Sequence, residues 1–493
     1  MKKILAPALF VVATLSAQPP PWGQPVATTA VTVAQSSYSI SSPLSTPSLV
    51  RLPSSRLVMS YQKAGTLGDD YGIAGNAATT YVLTSDDAGL TWTQRASTNK
   101  LAAGRVFAAA GTLYLFGKAT ALLDGGQTSL AVAKSLDQGA TWSEPVALAF
   151  GSSWDGAGGN VWHTRDFVYL VVDKTLPSGM AAGTWAVGDI VPTLMRASID
   201  DDLTLAASWT LATNARSFAG TSTTDELLPG YRANFAPIAG QNYAQVDFFG
   251  VPFYPQAYPG YTNLPGAATF SPMGWLSANV VQIFDQDSYW YQDTATAKTY
   301  YLFLRAHTGM SDYAAIAKVV EQGVTSEGET PGDQVWLPGA MTTSLVTTPS
   351  FVIEGNPVSG KNMLYLPFPG GQQRFHVLYD APDARVPNSG YYWLLTNQAT
   401  NSLVKPAEVA GGRINNERHR LVLYFSKNMV DWCFAGVVAL GANPEQARSG
   451  ASMDFDGNDL AVLARSGDSG ANSRVHTNLI TFHRVKNFRE LVY

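Results

Sequence analysis

An all-β protein assembled from repeated four-stranded units is what this sequence predicts, on three observations. The first is composition: 493 residues, 46% hydrophobic and only 14% charged, with 12 Trp, 22 Tyr, 21 Phe, 44 Gly and 28 Pro. Gly and Pro interrupt helices while aromatic residues favour pleated surfaces, so many short strands and turns are expected in place of long helices. The second is an internal repeat: Ser85-Asp86-Asp87-Ala88-Gly89-Leu90-Thr91-Trp92 and Ser135-Leu136-Asp137-Gln138-Gly139-Ala140-Thr141-Trp142 share the pattern S-x-D-x-G-x-T-W, fifty residues apart. The third is that each octet follows a strand-like run, Thr80-Tyr81-Val82-Leu83 in one case and Leu130-Ala131-Val132-Ala133 in the other. The chain is long enough for one large core or two medium ones, and too apolar to be disordered.

From the N-terminus, Lys2 and Lys3 precede an apolar stretch, Ile4 to Leu15, that is too short to span a bilayer, and Ser16-Ala17 precede Gln18-Pro19-Pro20. Residues 1–18 therefore read as a cleaved signal peptide of a secreted or periplasmic protein, residues 19–40 as an N-terminal extension, and residues 41–493 as the repeat domain. Cleavage takes the formal charge from −5 to about −7. No later segment has eighteen uninterrupted apolar residues, so no membrane span is expected in the mature protein. The scattered basic residues give no footprint for nucleic acid. Cys433 is the sole cysteine, which excludes an internal disulfide, and after Trp432 it reads as a small buried hydrophobe.

Each octet has the chemistry of a hairpin turn: Asp accepts from the turn's amides, Gly takes a positive φ, and Trp packs back on the sheet. Two copies at the length of one four-stranded blade point to a β-propeller. The octets resemble the Asp-box, or BNR repeat, and the chain resembles a divergent member of the sialidase (neuraminidase) superfamily. Ser426-Lys427-Asn428-Met429-Val430-Asp431-Trp432 is an eroded copy after the strand Leu421–Phe425, and Ser198-Ile199-Asp200 to Trp209 another with an insertion. Six blades are expected, with seven as the alternative. Asp-boxes lie on the periphery, so they bear on the fold and not on the chemistry. The Pro-, Gly- and aromatic-rich stretch at about 218–275 is read as an insertion that walls a cleft or covers a blade edge.

The resemblance implies an arginine cluster for a substrate carboxylate, a carboxylic acid that protonates the leaving group, and a Tyr nucleophile activated by Glu. The family's first Arg, its Glu and its Tyr fall on Ser45, Ser277 and Gly450. Asp69 and Asp70 fill the place of the acid/base Asp, with an ordinary polar turn as the alternative. Arg305, closing the apolar strand Tyr301–Leu304, and Arg420 (or Arg418) match the second and third arginines. Three Arg/His pairs stand at i and i+2: His163 with Arg165, Arg305 with His307, and Arg374 with His376. On strands each pair shares a face, and turned inward they would line an anion site in which neutral His moves protons; solvent-facing polar residues are the alternative. Glu354 in an apolar run is a further candidate acid. No zinc pattern, P-loop, dinucleotide fingerprint or Gly-x-Ser-x-Gly elbow occurs, and no cofactor is expected. Asp200-Asp201-Asp202 reads as a solvated turn, with a calcium site as the alternative. The function implied is an exo-glycosidase acting on a terminal acidic sugar of a glycan. A uronate-directed polysaccharide lyase and a non-catalytic carbohydrate-binding propeller are the alternatives.

Overall fold

A computed structural model describes residues 23–37, 43–63, 78–121, 123, 127–156, 158–175, 190–213, 274–288, 290–307, 312–326, 335–344, 364–400, 417–471, 474 and 477–493. The expected signal peptide, most of the 218–275 insertion, Asp69, Asp70 and Glu354 lie outside the described residues, as does the side chain of His307.

Six antiparallel sheets form the blades of a six-bladed propeller. Blade 1 holds Leu44–Arg51, Leu57–Lys63, Thr79–Ser85 and Thr93–Thr98, and blade 2 holds Leu101–Ala109, Thr112–Ala119, Leu130–Ser135 and Val146–Leu148. Blade 3 has a split inner edge, Ser153–Asp155 and Trp162–His163, followed by Phe167–Thr175, Ile190–Ser198 and Trp209–Leu211. Blade 4 comprises Gly274–Val281, Ala297–His307, Tyr313–Ser326 and Val335–Ser344, with Leu364–Pro367 also paired to its third strand. His376–Asp380, Tyr391–Asn397, Arg420–Ser426 and Cys433–Leu440 make blade 5. Blade 6 takes Arg448–Asp456, Asp459–Ser466 and Leu479–Val485 from the C-terminal end and its outermost strand, Ala27–Gln35, from the N-terminal end.

That last pairing corrects the reading of residues 19–40 as an extension outside the domain. The alternating burial of Ala27–Gln35 is the period-two pattern of a half-covered edge strand, and it closes the ring by joining the two ends of the chain. Inner strands pack on one another around the axis, blade 1 touching blades 2 and 6, and blade 5 touching blades 4 and 6. The strands flanking them are fully apolar runs such as Val168–Val172 and Tyr300–Leu304, because each is covered on both faces by neighbouring blades.

Antiparallel pairing puts the turns that join inner to second strands, and third to fourth strands, on one face, called here the lower face. The two octets occupy the third-to-fourth turns of blades 1 and 2 with matching bonds. Ser85 Oγ accepts from the Gly89 amide at 2.9 Å, Asp87 from the Thr91 amide and hydroxyl at 2.9 and 2.6 Å, and Trp92 Nε1 donates to the Gly89 carbonyl at 3.0 Å. Ser135, Asp137, Thr141, Gly139 and Trp142 repeat this set, and Gly89 and Gly139 have φ of +88° and +84°. The segment from Ser426 turns blade 5 in the same place, with Asn428 Oδ1 accepting from the Asp431 amide at 2.8 Å. In blade 3 the turn carries a short 3₁₀ insertion, Ala206–Ser208, yet Trp209 Nε1 still donates to the Leu203 carbonyl. Asp202 there pairs with Lys134 and accepts from Thr204, and among the described residues no three His, Cys, Asp or Glu side chains gather to hold a metal. Cys433 opens the outer strand of blade 5 and is only half-buried, because an outermost strand is covered on fewer sides than the sequence reading assumed.

Candidate functional site

The inner strands share a local defect that shapes the channel. In blades 1, 2, 4 and 6 each carries a one-residue bulge, between Ser45 and Ser48, Ala102 and Arg105, Leu276 and Asn279, and Ser449 and Ser452. The second residue of each interval, Thr46, Ala103, Ser277 or Gly450, takes a left-handed φ of +48°, +51°, +51° or +56°. Three of the four are not glycine, so backbone strain is held at equivalent places around the axis. Two of the positions where the resemblance expects catalytic side chains, Ser277 and Gly450, are these bulge residues, and Ser45 immediately precedes a third.

The residue that closes each bulge points to the next blade, and together these residues make a belt. Ser452 Oγ accepts from the Leu49 amide of blade 1 at 3.2 Å, and Ser48 Oγ from the Val106 amide of blade 2 at 3.1 Å. Arg105 donates to the carbonyls of Asn160 and Val171 in blade 3, at 3.0 and 3.2 Å. Asn160 Oδ1 accepts from Val280 of blade 4 at 2.9 Å, and Asn279 Oδ1 from Val377 of blade 5 at 3.0 Å. His376 holds the sixth place, and its Nδ1 has no hydrogen-bond partner among the described residues. Backbone groups of the inner strands that would otherwise be buried unpaired are satisfied by this belt.

Two residues further along the second strands, toward the upper face, lies a second ring: Gln62, Lys118, Arg305, Asn397 and Arg465, with Asp173 in blade 3. Asp173 pairs across the sheet with Asp155, whose carboxylate holds Lys118 Nζ at 3.0 Å. Burial pushes the Asp173 pKa well above the usual carboxylate range and the Asp155 charge adds to this, against a smaller opposing effect of the Ser277 amide and Arg105. The blade 3 edge thus places two carboxyl groups side by side, and burial favours the neutral form of Asp173.

At the axis Arg105 of blade 2, beside blade 3, meets Arg374 and His376 of blade 5. Gly158 separates the two guanidiniums so closely that a Cβ there would lie 3.0 Å from Arg105 Nε and 3.1 Å from Arg374 Nη2. Burial, then Arg374, lowers the Arg105 pKa to about 9. Burial, with the charges of Arg374 and Arg105, brings His376 to about 3, so this imidazole is neutral at physiological pH. Two guanidiniums and a neutral imidazole therefore meet at the axis. Near the blade 4 edge, Asp312 accepts from the Gly370 amide at 2.9 Å, and burial raises its pKa to about 7 despite those backbone bonds.

The sequence-derived candidates are thus distributed unevenly. Arg374 and His376 meet Arg105 at the axis. Arg305 is buried in the second ring and donates from Nε to the Gln372 carbonyl at 2.6 Å, so it braces the segment that leads to Arg374. Arg420 opens the third strand of blade 5, away from the inner edge, while Arg418 is buried and its carbonyl accepts from Asn397 and Arg448. His163 and Arg165 do not face the channel. The short strand ends at His163, the i, i+2 rule stops applying, and both residues lie at the lower face, with His163 Nε2 on the Ala108 carbonyl at 2.9 Å and Arg165 82% exposed. Asp155, Asp173, Arg105 and Asn160 were not singled out in the sequence. Asp173 carried the same signal as Arg305, a charged residue ending an apolar strand.

No family model matches the sequence, and no curated protein sequence matches it. Solved structures with a similar trace include the Hadza microbial sialidase Hz136, with 12% identity and a TM-score of 0.45 over 90% of this chain and 66% of that one. A Penicillium chrysogenum alpha-L-arabinanase complexed with arabinobiose shows 10% identity and a TM-score of 0.43 over 94% of this chain and 99% of that one. A mutant of Trypanosoma rangeli sialidase displaying trans-sialidase activity shows 11% identity and a TM-score of 0.43 over 94% of this chain and 59% of that one. This chain spans just under two thirds of the first of these and less of the last.

Proposed function

We propose that the protein is an exported, glycan-active glycosidase that binds an anionic sugar at the upper mouth of the channel and hydrolyses its glycosidic bond. The observation that carries this reading is the meeting of Arg105, Arg374 and neutral His376 at the axis with the Asp155–Asp173 carboxyl pair at the adjacent blade edge. A planar guanidinium matches a sugar carboxylate in two parallel bonds, which suits Arg374 as the anion anchor. Asp173, protonated, gives its proton to the leaving oxygen as the C–O bond breaks. Asp155 supplies the negative charge that the developing oxocarbenium ion needs, water adds to the anomeric carbon, and its proton restores Asp173. In the sialidase-like reading it is Asp69 or Asp70 that would serve as this acid.

The test is incubation of the purified protein with a panel of sialosides and uronate-containing glycans, with wild type beside Asp173→Asn and Asp70→Asn. Free sugar released by wild type and lost in Asp173→Asn supports the assignment. Loss in Asp70→Asn alone moves the acid to the blade 1 connection. An unsaturated product absorbing in the near ultraviolet would replace hydrolysis by lysis, and binding without product would leave a carbohydrate-binding propeller. Sequencing the N-terminus of the secreted protein, expected near Gln18, tests export.

A further inference from the structure

A cavity opens on the lower face, between blades 3 and 4, with a volume of about 460 Å³. This is within the roughly 300–1,000 Å³ usual for small-ligand sites. Its floor is Tyr169 and Tyr300, whose ring centroids lie 4.5 Å apart. Both hydroxyls are bonded to Glu321, at 3.0 and 3.3 Å. Glu321 is fully buried and ion-paired with Arg196, and it also takes Trp336 Nε1 at 3.4 Å. A buried charge pair satisfied by three aromatic donors fixes the rings that line the cavity, so the floor is preorganised.

The walls mix aromatic faces with balanced charge. Lys298 Nζ stands 5.3 Å over the Trp336 ring, and Asp293 faces the same space with an oxygen on the Thr299 amide at 2.7 Å. Arg165 and Asp166 close the other side as an ion pair at 3.5 Å. Two cations and two carboxylates cancel, unlike the paired guanidiniums of Arg105 and Arg374 at the axis, so nothing here selects an anion. A purely apolar ligand would strip water from these four groups without replacing their bonds. Phe284, at 46% exposure, is the single exposed phenylalanine among the described residues, and it stacks on Tyr379 at 4.8 Å and Trp162 at 6.1 Å. Phe284 thus stands at the cavity rim as an exposed ring backed by Tyr379 and the buried Trp162.

We infer that this cavity is a binding site for a neutral oligosaccharide, separate from the channel. Sugar rings offer the required combination: C–H faces that stack on rigid aromatic rings and hydroxyls that bond to Asp293, Lys298, Gln286 and Arg165. One end of the chain fills the cavity and the next ring lies on Phe284. The site would tether the protein to a neutral polysaccharide while the opposite face works on acidic termini.

Titration of the full-length mature protein with cellotetraose, xylotetraose and mannotetraose, followed by tryptophan fluorescence and calorimetry, tests this, with 3′-sialyllactose as the acidic control. At least one neutral tetrasaccharide is expected to bind saturably. Phe284→Ala and Asp293→Asn should each weaken it about tenfold, while Arg374→Ala leaves it unchanged. The inference is overturned if no neutral tetrasaccharide binds at millimolar concentration. It is equally overturned if both cavity variants, with wild-type thermal midpoints, retain full affinity, or if Arg374→Ala abolishes binding. Phe284 is exposed, so its removal is not expected to unfold the protein, and Asp293→Asn gives a reading if it does. Glycoside hydrolysis is not part of the readout, so this site and the channel assignment stand or fall separately.

Discussion

The belt around the axis makes a graded claim about stability. Asn279 sits in it with three bonds: Oδ1 accepts from the Asn160 and Val377 amides at 3.1 and 3.0 Å, and Nδ2 donates to the Phe375 carbonyl at 3.1 Å. Its exposure is zero, so Asn279→Ala strands two buried N–H groups and one carbonyl away from water. At about 1–3 kcal/mol per stranded group, the loss should be about 3–9 kcal/mol. Ser48→Ala strands only the Val106 amide and Ser452→Ala only the Leu49 amide, so each should cost about 1–3 kcal/mol, a third of the Asn279→Ala loss. Urea unfolding of the three variants, with slopes compared to confirm a common denatured state, measures the series. If Asn279→Ala costs no more than Ser48→Ala, the belt does not join the blades as its geometry implies, and the reasoning from bond count to stability fails.

Other consequences concern the charged groups of the channel. The Asp173 proton is held to higher pH in the folded chain than the ordinary 3.8, so the stability tied to it is full below about pH 4 and is lost as pH rises through the folded value. Asp173→Asn should therefore raise the unfolding midpoint at pH 8 relative to wild type while cutting turnover by about 10²–10⁴-fold, and a variant that loses stability at pH 8 would contradict the assignment. His376 shifts the opposite way, from 6.5 to about 3, so its contribution is present above about pH 6.5 and lost as pH falls. Between pH 7 and pH 4 this amounts to about 3 kcal/mol, and unfolding curves of His376→Gln should show a correspondingly flatter acid limb. Gly158→Ala places a methyl against both guanidiniums, so it should raise KM for an acidic glycan severalfold with a thermal midpoint near that of wild type. Unfolding, or unchanged KM, would show that Gly158 does not set the spacing of Arg105 and Arg374.

The octets made the blades legible because one turn's chemistry is local: Ser85, Asp87, Gly89, Thr91 and Trp92 bond to one another within eight residues. Even the eroded copies that begin at Ser426 and Ser198 turn the chain at the same point of their blades. The channel is not local in this sense. Arg105 and Arg374 stand 269 positions apart in the sequence and meet only because blades 2 and 5 oppose each other in a ring of six. Arg374 and His376 were found by their proximity to each other, whereas Asp155 and Asp173 meet through a cross-strand register that spacing alone does not reveal. His163 and Arg165 do not share a strand face, because the strand Trp162–His163 ends before Arg165. The bulges at Thr46, Ala103, Ser277 and Gly450 leave no clear residue signature, since only one of the four is glycine.

The central claim is that the upper channel mouth recognises the carboxylate of an acidic sugar through Arg374. Its most direct test is kcat/KM for wild type and Arg374→Ala on one acidic glycoside and on its neutral analogue with the carboxylate reduced to an alcohol. Loss of a charge-assisted pair should lower kcat/KM on the acidic substrate about 30–100-fold and leave the neutral analogue little changed. Equal effects on both substrates, or none on either, would contradict the claim.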